Sequence, residues 1–443
     1  MTESLRKIAA NVIAASKADQ TEVVVSGGDS ALTRFAGNTI HQNVAEENVS
    51  VAVRAIVGKR IGVASSNDIS PRGLKALAKT ALDIAKHQPE TPDFPGLPEA
   101  KPTAQVKAYS DGITSVSPAK RASAAVSIIK PAAKKGAIAS GTISTEYGEL
   151  AIANSLGVDV AYMSSAFEAS AVIEKGSGAG YAGAISWEPS RVDVKRVGKT
   201  ALAKCLKSVE PIGIEAGEYT VVLEPQAVAE LVAYMAYMGF GAQDFLEGTS
   251  FLTSRIGQKI MSESVSIWDD GLDEAGMPAP FDYEGVPKQR VGFIEGGVAK
   301  GVVYDTYFAA KAGKTSTGHA LPAGYGEGPL PTNIIMAAGT SSIEEMIAST
   351  ERGLLVTRFH YVNIADPANA VLTGLTRDGT FLITKGKVRR PVRNLRFTES
   401  MVKAFASVEA LSKERSLEPA MLGAMVVPAA KIERFRFSGT TEF

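Results

Sequence analysis

The pattern of the chain changes at Pro211, and this change constrains the fold more than any other feature. Before it, helical and strand-like segments follow one another, and Ser-Pro pairs at Ser70 and Ser117 open two of the helices. After it, short strand-like segments bounded by glycine surround one long apolar helix within Glu224–Gly248. Such strands, paired over long sequence distances, indicate a twisted sheet. The sequence predicts an α+β protein: small N-terminal α/β units with helices on mixed sheets, followed by a β-rich, barrel-like C-terminal domain.

A chain of 443 residues is too long for one ordinary core. The clearest linker is the proline-rich stretch Glu90–Pro102. We predict an N-terminal α/β domain over residues 1–100, a central α/β domain over residues 101–210 and the β-rich domain over residues 211–443. In the last domain we expect a helix at Ser400–Leu411. The closing segment Ile432–Phe437 alternates apolar and charged residues, as an edge or dimer-interface strand does.

Composition bears on partners and location. Lys and Arg total 47, equal to Asp and Glu, so the formal charge is zero. A general attraction to nucleic acid or anionic membrane needs surplus cations and is not expected. The single cysteine, Cys205, fits a reducing compartment and is interpreted as a packed residue. The first residues form an amphipathic helix with no apolar signal region. We therefore expect a cytoplasmic protein with no nucleic-acid or membrane partner.

Three motifs could carry chemistry, and each has a simpler interpretation. The four histidines, His41, His87, His319 and His360, stand far apart without metal-ligand spacing. The GxGxxG stretch Gly178–Gly183 precedes a strand rather than a helix, which indicates a hairpin turn instead of a dinucleotide site. A basic run, Lys385–Arg396, is better explained by a solvated hairpin turned at Lys385-Gly386 than by a nucleic-acid patch.

Several blocks of the C-terminal half together resemble the TldD/PmbA family. They are GTSFLTSRIGQKI, SIWDDG, STGHA and DGTFLITKGKVRRPVRNLRF, beside the helix EPQAVAELVAYMAYMGFGAQDFLEG. In this family the zinc-protease subunit TldD carries an HExxxH motif on that helix, and its partner TldE does not. An ungapped match from Val221 places Ala233 and Met238 at the two histidines and Tyr234 at the glutamate. The late cysteine ligand also has no counterpart after Cys205. The chain therefore resembles the TldE/PmbA side.

The resemblance implies a TldE/PmbA-like subunit of a cytoplasmic metalloprotease acting on unfolded or peptide substrates. No cofactor is expected in this chain, and zinc is expected in a TldD-like partner. Two alternatives remain: a stand-alone peptide-binding or scaffolding homodimer, and a hydrolase that uses other residues. The catalytic residues are unknown from the sequence. Candidate peptide-groove residues are Tyr234, Tyr237, His319 and His360; Met235 and Met238 are assigned to the core, and His319 is expected in an exposed loop.

Overall fold

The computed structural model describes residues 2–441. Its first sheet is antiparallel throughout, with six strands in the order β3-β2-β1-β4-β5-β6. The strands are β1 (Gln20–Ala36), β2 (Thr39–Val57), β3 (Arg60–Ser66), β4 (Ile138–Asn154), β5 (Asp159–Lys175) and β6 (Gly178–Ser186). Segments 1–100 and 101–210 thus contribute three strands each to one continuous sheet.

Four helices cover one face of this sheet. They are α1 (Thr2–Ala15), α2 (Pro71–His87), α3 (Pro118–Lys134) and α4 (Val194–Lys207). Because side chains alternate along a strand, Val23 and Val25 pack under α1 and α2, while Val24 points to the opposite face and packs near Phe281. Cys205 is buried in α4, as the sequence predicts. The helix-free face of the sheet therefore meets the C-terminal part of the chain.

The second sheet is mixed and has eleven strands. Its strands are β7 (Gly217–Leu223), β8 (Ile267–Asp269), β9 (Val291–Glu295), β10 (Val298–Ala299), β11 (Ile334–Met336), β12 (Arg352–Asp366), β13 (Val371–Thr384), β14 (Lys387–Pro391), β15 (Leu395–Ser400), β16 (Val408–Ala420) and β17 (Gly423–Thr440). The path β17-β15-β13-β12-β7 closes on itself because β7 also pairs with β17. This ring-like sheet and the helix-bearing N-terminal sheet confirm the predicted α+β class.

Five helices accompany the second sheet: α5 (Pro225–Gly239), α6 (Ala242–Glu247), α7 (Thr306–Lys311), α8 (Ile343–Ala348) and α9 (Met401–Ala406). Helix α5 packs against β12, β16 and β17 and contributes most of its side chains to the largest hydrophobic core. In residues 2–441, no helix is both long and apolar enough to cross a membrane.

Three local predictions differ from the structure. The predicted helix Ser400–Leu411 ends at Ala406, and β16 begins at Val408. The segment Ile432–Phe437 is an interior strand, since β17 pairs with β7 and its aromatic residues enter the core. The stretch Gly178–Gly183 is part of β6, and the turn precedes it at Gly176, where φ is +56°. The predicted hairpin at Lys385-Gly386 is confirmed, with φ of +53° and +68°.

An ion cluster joins the two sheets. Arg54 on β2 donates to Glu22 on β1 at 2.6 Å and to Glu284 of the C-terminal part at 3.0 Å. All three side chains are nearly inaccessible to solvent. Buried charges hold only when they are paired, so this cluster fixes the sheet against the loop that carries Glu284.

Candidate peptide-binding groove

Helix α5 carries the positions that match the zinc motif of the resembled family. Glu224 precedes it in extended conformation, Pro225 occupies its first turn, and apolar residues fill most of the rest. Ala233 is 0% exposed and Met238 is 3% exposed, both inside the main core. Neither side chain has a nitrogen or oxygen atom that could bind zinc. The residues present do not fit a zinc site of the family type.

The remaining metal-ligand types give no alternative centre. In residues 2–441, no group of three or more His, Cys, Asp or Glu side chains is arranged to hold a metal ion. The segment matched to the late cysteine forms β17, which packs on α5. The fold therefore brings the two family ligand regions together, but with core side chains in both.

One stripe of α5 is less buried than the rest: Gln226, Glu230, Tyr234 and Tyr237. These residues follow one another at intervals of three or four, so they share one side of the helix. Near the start of this stripe lies a groove of about 840 Å³, to which Gln226 contributes. That volume is within the usual range for ligand sites.

Two strand edges line the groove. Within the described chain β6 pairs only with β5, so its outer edge is free, and residues Tyr181–Ser186 line the groove. On the C-terminal side the groove is lined by Ser412 and Glu414–Glu418 of β16, which pairs with β17 and is bridged at Ser412 to Ser341. Free edges offer main-chain N–H and C=O groups to an extended peptide regardless of its sequence.

Charged side chains lie where α4 and α5 approach the groove. Lys204 of α4 forms an ion pair with Glu224, which precedes α5. Glu418 of β16 accepts a hydrogen bond from the Ser416 hydroxyl at 2.6 Å. Burial raises the pKa of Glu418 to about 7, although the Ser416 hydroxyl and the Lys204 charge act to lower it. A carboxyl group with a pKa near neutrality inside a groove is a common property of functional sites.

Arg358 of β12 connects the groove to the less buried stripe of α5. Its Nε donates to Asp378 Oδ2 at 2.7 Å, and its guanidinium lies over the ring of Tyr181. Burial raises the pKa of Glu230, and the charge of Arg358 opposes that shift. Glu230 is therefore close enough to Arg358 to interact with its charge. The middle of α5 accordingly lies beside β12.

The structure brings two of the predicted groove residues toward this region. Burial and the charge of Glu230 raise the pKa of Tyr234. Burial and the nearby Arg377 and Arg358 lower the pKa of His360, which stands two residues beyond Arg358 on β12. Tyr237 lies further along α5 and is exposed. Tyr234 and His360 thus share the surroundings of Arg358 and Glu230, although they do not line the groove itself.

The predicted exposure of His319 is wrong. The side chain is 1% exposed; its Nε2 lies 2.9 Å from Asp269 Oδ1 and its Nδ1 lies 3.0 Å from Thr317 Oγ1. Burial and the charge of Lys288 lower the pKa of His319, so a neutral imidazole donates to Asp269. The sequence places His319 in a glycine-rich loop, but this loop folds inward against β8.

The hydrogen bonds that link Thr317, His319 and Asp269 have the order of a hydrolase triad. Their contacts with the backbone show that these side chains stabilise the loop instead. The Thr317 hydroxyl oxygen also accepts a hydrogen bond from the backbone N–H of Tyr304 at 2.8 Å, and it lies 3.0 Å from the Tyr304 carbonyl oxygen. Asp269 accepts the backbone N–H groups of Thr332 and Asn333 at 2.8 and 2.7 Å. A nucleophile must reach a substrate, and this hydroxyl is committed to the backbone.

Sequence reasoning missed the polar groove residues Tyr181, Lys204, Glu224 and Glu418, and also Arg358, which packs on Tyr181. They come from five separate elements, and no spacing motif relates them. The sequence of β16 contains a partial signal for polar groove residues: Ser416 and Glu418 are two residues apart, so they share one face of the strand, next to Pro419. Only the tertiary packing of β6 and α4 against the C-terminal sheet assembles the set.

Three models of one protein family match successive parts of the chain. Residues 21–85 match PmbA/TldA metallopeptidase domain 1, residues 108–209 match the central domain, and residues 216–439 match the C-terminal domain. "Metalloprotease PmbA" of Escherichia coli O157:H7 is 23% identical over 442 residues, covering 95% of this chain and 93% of that protein. An uncharacterized protein of Methanocaldococcus jannaschii is 34% identical over 215 residues, which are 47% of this chain. The match spans only about half the length of these relatives: 50% of the Methanocaldococcus jannaschii protein and 46% of the Haemophilus influenzae TldD homolog.

Among solved structures, TldE from Thermococcus kodakarensis superposes with a TM-score of 0.89. It is 23% identical, and the superposition covers 99% of each chain. At this identity the likeness concerns the fold. Together with the match of the C-terminal domain over half of the chain, these comparisons show that the protein belongs to the PmbA/TldD metallopeptidase family.

Proposed function

We propose that this chain is the TldE/PmbA-like subunit of a TldD/TldE-type metalloprotease that acts on unfolded or peptide substrates in the cytoplasm. In this proposal the zinc and the hydrolytic step belong to a TldD-like partner. This chain binds an extended segment of the substrate and contributes the surface of the assembly.

The observation that carries the proposal is the burial of Ala233 and Met238. A zinc site needs three or four ligands that converge on one point. Here both helix positions are filled by core side chains, and Tyr234 stands in place of the acid-base glutamate. Restoring such a site would require several coordinated changes, so catalysis by a partner is the simpler explanation.

The groove supports the substrate-binding part of the proposal. The free edge of β6 can pair with a peptide main chain, as in other cases of strand addition. Such pairing is tolerant of sequence, which suits a protease of unfolded substrates. Tyr234 and Tyr237 extend the accessible surface along α5 beyond the groove.

The test compares three preparations: the chain alone, a TldD-like protein alone and the two coexpressed. Each is assayed for zinc content and for chelator-sensitive cleavage of casein. We expect the chain alone to contain no stoichiometric zinc and to cleave nothing, and the pair to copurify and to cleave. Chelator-sensitive cleavage by the chain alone would overturn the proposal in favour of a hydrolase that uses other residues.

The same preparations distinguish the other alternative. A chain that binds unstructured peptide, forms a homodimer and does not associate with any TldD-like protein would be a stand-alone binding or scaffolding protein. That result would leave the peptide groove in place and remove the partner from the proposal.

A further inference from the structure

The inner part of the groove holds more carboxyl groups than cations. Glu224 is paired with Lys204, and Glu418 lies close enough for both to act on its pKa. Within the described chain, the Glu418 carboxylate accepts its hydrogen bond from a neutral group, the Ser416 hydroxyl. One cation among these two carboxyl groups leaves Glu418 without a cationic partner of its own.

The other charges that line the groove lie at its exposed rim. They are Arg191, Asp193, Arg196, Glu414 and Arg415. Charges in water interact weakly and are screened by salt within about 10 Å at 0.1 M ionic strength. The charge of the half-buried Glu418 is screened less by water and salt. It therefore makes the largest electrostatic contribution to the binding of a charged group inside the groove.

Two neutral acceptors without partners accompany this charge. Thr357 is 1% exposed, lines the groove and has an Oγ1 with no hydrogen-bond partner among residues 2–441. The Oε1 of Gln226 is also buried without a partner within the described residues. Its Nε2 donates to Pro419 O at 3.0 Å, which holds the amide beside Glu418. Buried polar atoms without partners are costly, so these two atoms are available to accept hydrogen bonds from a bound group.

We propose that the inner groove binds an ammonium group of the substrate peptide, with Glu418 as the charged acceptor and Gln226 and Thr357 as neutral acceptors. This inference rests on the proposed function and adds the chemical class that the groove selects.

An ammonium group suits this set because it has three N–H donors and one positive charge. Its three donors match one carboxylate and two neutral oxygens in number, and its positive charge stabilises the ionised form of Glu418. The group can be the amino terminus of a peptide or the side chain of a lysine. Strand pairing along β6 would supply the rest of the affinity without further sequence selection.

The experiment measures fluorescence anisotropy of three unstructured, fluorophore-labelled peptides with the full-length chain at 0.15 M salt. The first has a free amino terminus and no lysine, the second is the same peptide acetylated, and the third is acetylated with one central lysine. The chain is used as wild type, as Glu418→Gln and as Glu433→Gln. Glu433 is an exposed residue on β17 and provides the matched control. Unchanged thermal unfolding midpoints establish that the variants fold.

We expect at least one ammonium-bearing peptide to bind the wild type about tenfold or more tightly than the acetylated peptide without lysine, as a charge-assisted hydrogen bond provides. Glu418→Gln should reduce that ratio to near one, and Glu433→Gln should keep it. Preference for the first peptide identifies the amino terminus, and preference for the third identifies a lysine side chain.

Equal binding of all three peptides to the wild type would overturn the inference and leave the peptide groove intact. A preference that survives Glu418→Gln would also overturn it. If no peptide binds and the chain coexpressed with a TldD-like protein cleaves no casein, the proposed function itself fails, which is a distinct result.

Discussion

The guanidinium of Arg358 lies 4.1 Å from the ring centre of Tyr181. This contact joins β12 of the C-terminal sheet to the free-edged strand β6 of the N-terminal sheet. The same arginine is hydrogen-bonded to Asp378, which is only 5% exposed. Arg358 therefore holds the two sheets together at the end of the groove.

Replacing Arg358 should destabilise the protein markedly. Arg358→Met removes the partner of a buried carboxylate, and an uncompensated buried charge costs about 3 kcal/mol or more. We expect a loss of that order in the free energy of unfolding, measured by urea denaturation. The double variant Arg358→Met/Asp378→Asn should recover much of it, because no buried carboxylate is then left unpaired and asparagine tolerates the φ of +54° at this position.

Arg377→Met is the matched control. Its side chain is 38% exposed and its Nε lies 3.8 Å from Asp378 Oδ1, so it contributes a weak pair. A change below about 1 kcal/mol is expected. Equal losses for the two arginine variants would contradict the anchoring role of Arg358.

Histidines at the matched motif positions should not create a zinc protease. Ala233→His/Met238→His inserts polar rings into a packed core, and overpacking alone costs about 1–3 kcal/mol. The third ligand and the acid-base glutamate are still missing. We expect a lower thermal midpoint, no stoichiometric zinc by elemental analysis and no chelator-sensitive cleavage of casein.

Tyr237→His on the exposed side of the same helix serves as the control and should leave the midpoint nearly unchanged. Tight zinc binding by the double variant, with cleavage of casein, would show that the fold retains a functional metal site.

The sequence predicts the architecture well where local pattern decides it. Ser-Pro starts at α2 and α3, the Lys385-Gly386 hairpin and the core assignment of Met235 and Met238 are confirmed. The prediction fails at Ser400–Leu411, since short apolar segments suit helix and strand alike. It fails at His319 because burial of a loop depends on a distant carboxylate, Asp269, with no local signature.

The groove could not be predicted for a related reason. Glu418 and Lys204 are more than two hundred residues apart in the sequence. Their approach depends on how the N-terminal sheet is docked on the C-terminal one, which no periodicity encodes. The family resemblance identified α5 as the informative helix, but the groove lies beside its first turn rather than at the matched motif positions.

The chain should be a dimer in solution, with itself or with a TldD-like partner. The predicted reason, an edge strand at Ile432–Phe437, is wrong, but other free edges exist. The outer edge of β2 pairs with β3 only from Val51 onward. The part of β2 before Val51 therefore has one free edge. Light scattering should give about twice the 46.4 kDa chain mass, or the mass of a heterodimer. A stable monomer at micromolar concentration, also in the presence of the partner, would contradict this prediction.

Asp305 should make stability depend on pH between about 4 and 6. It caps α7 by accepting Phe308 N at 2.7 Å, and burial together with the charge of Glu284 raises its pKa to about 6 from the usual 3.8. The folded chain then binds the proton more tightly than the unfolded chain. The free energy of unfolding therefore falls as the pH rises through this window, by on the order of 3 kcal/mol. Asp305→Asn keeps the capping oxygen and removes this titration, so it should stabilise the protein above pH 6 and reduce the slope of the profile measured by urea unfolding, leaving the contribution of Glu418. Asp193→Asn, at the exposed cap of α4, is the matched control and should leave the slope unchanged. A slope of the same size in the wild type and in Asp305→Asn would show that another group titrates instead.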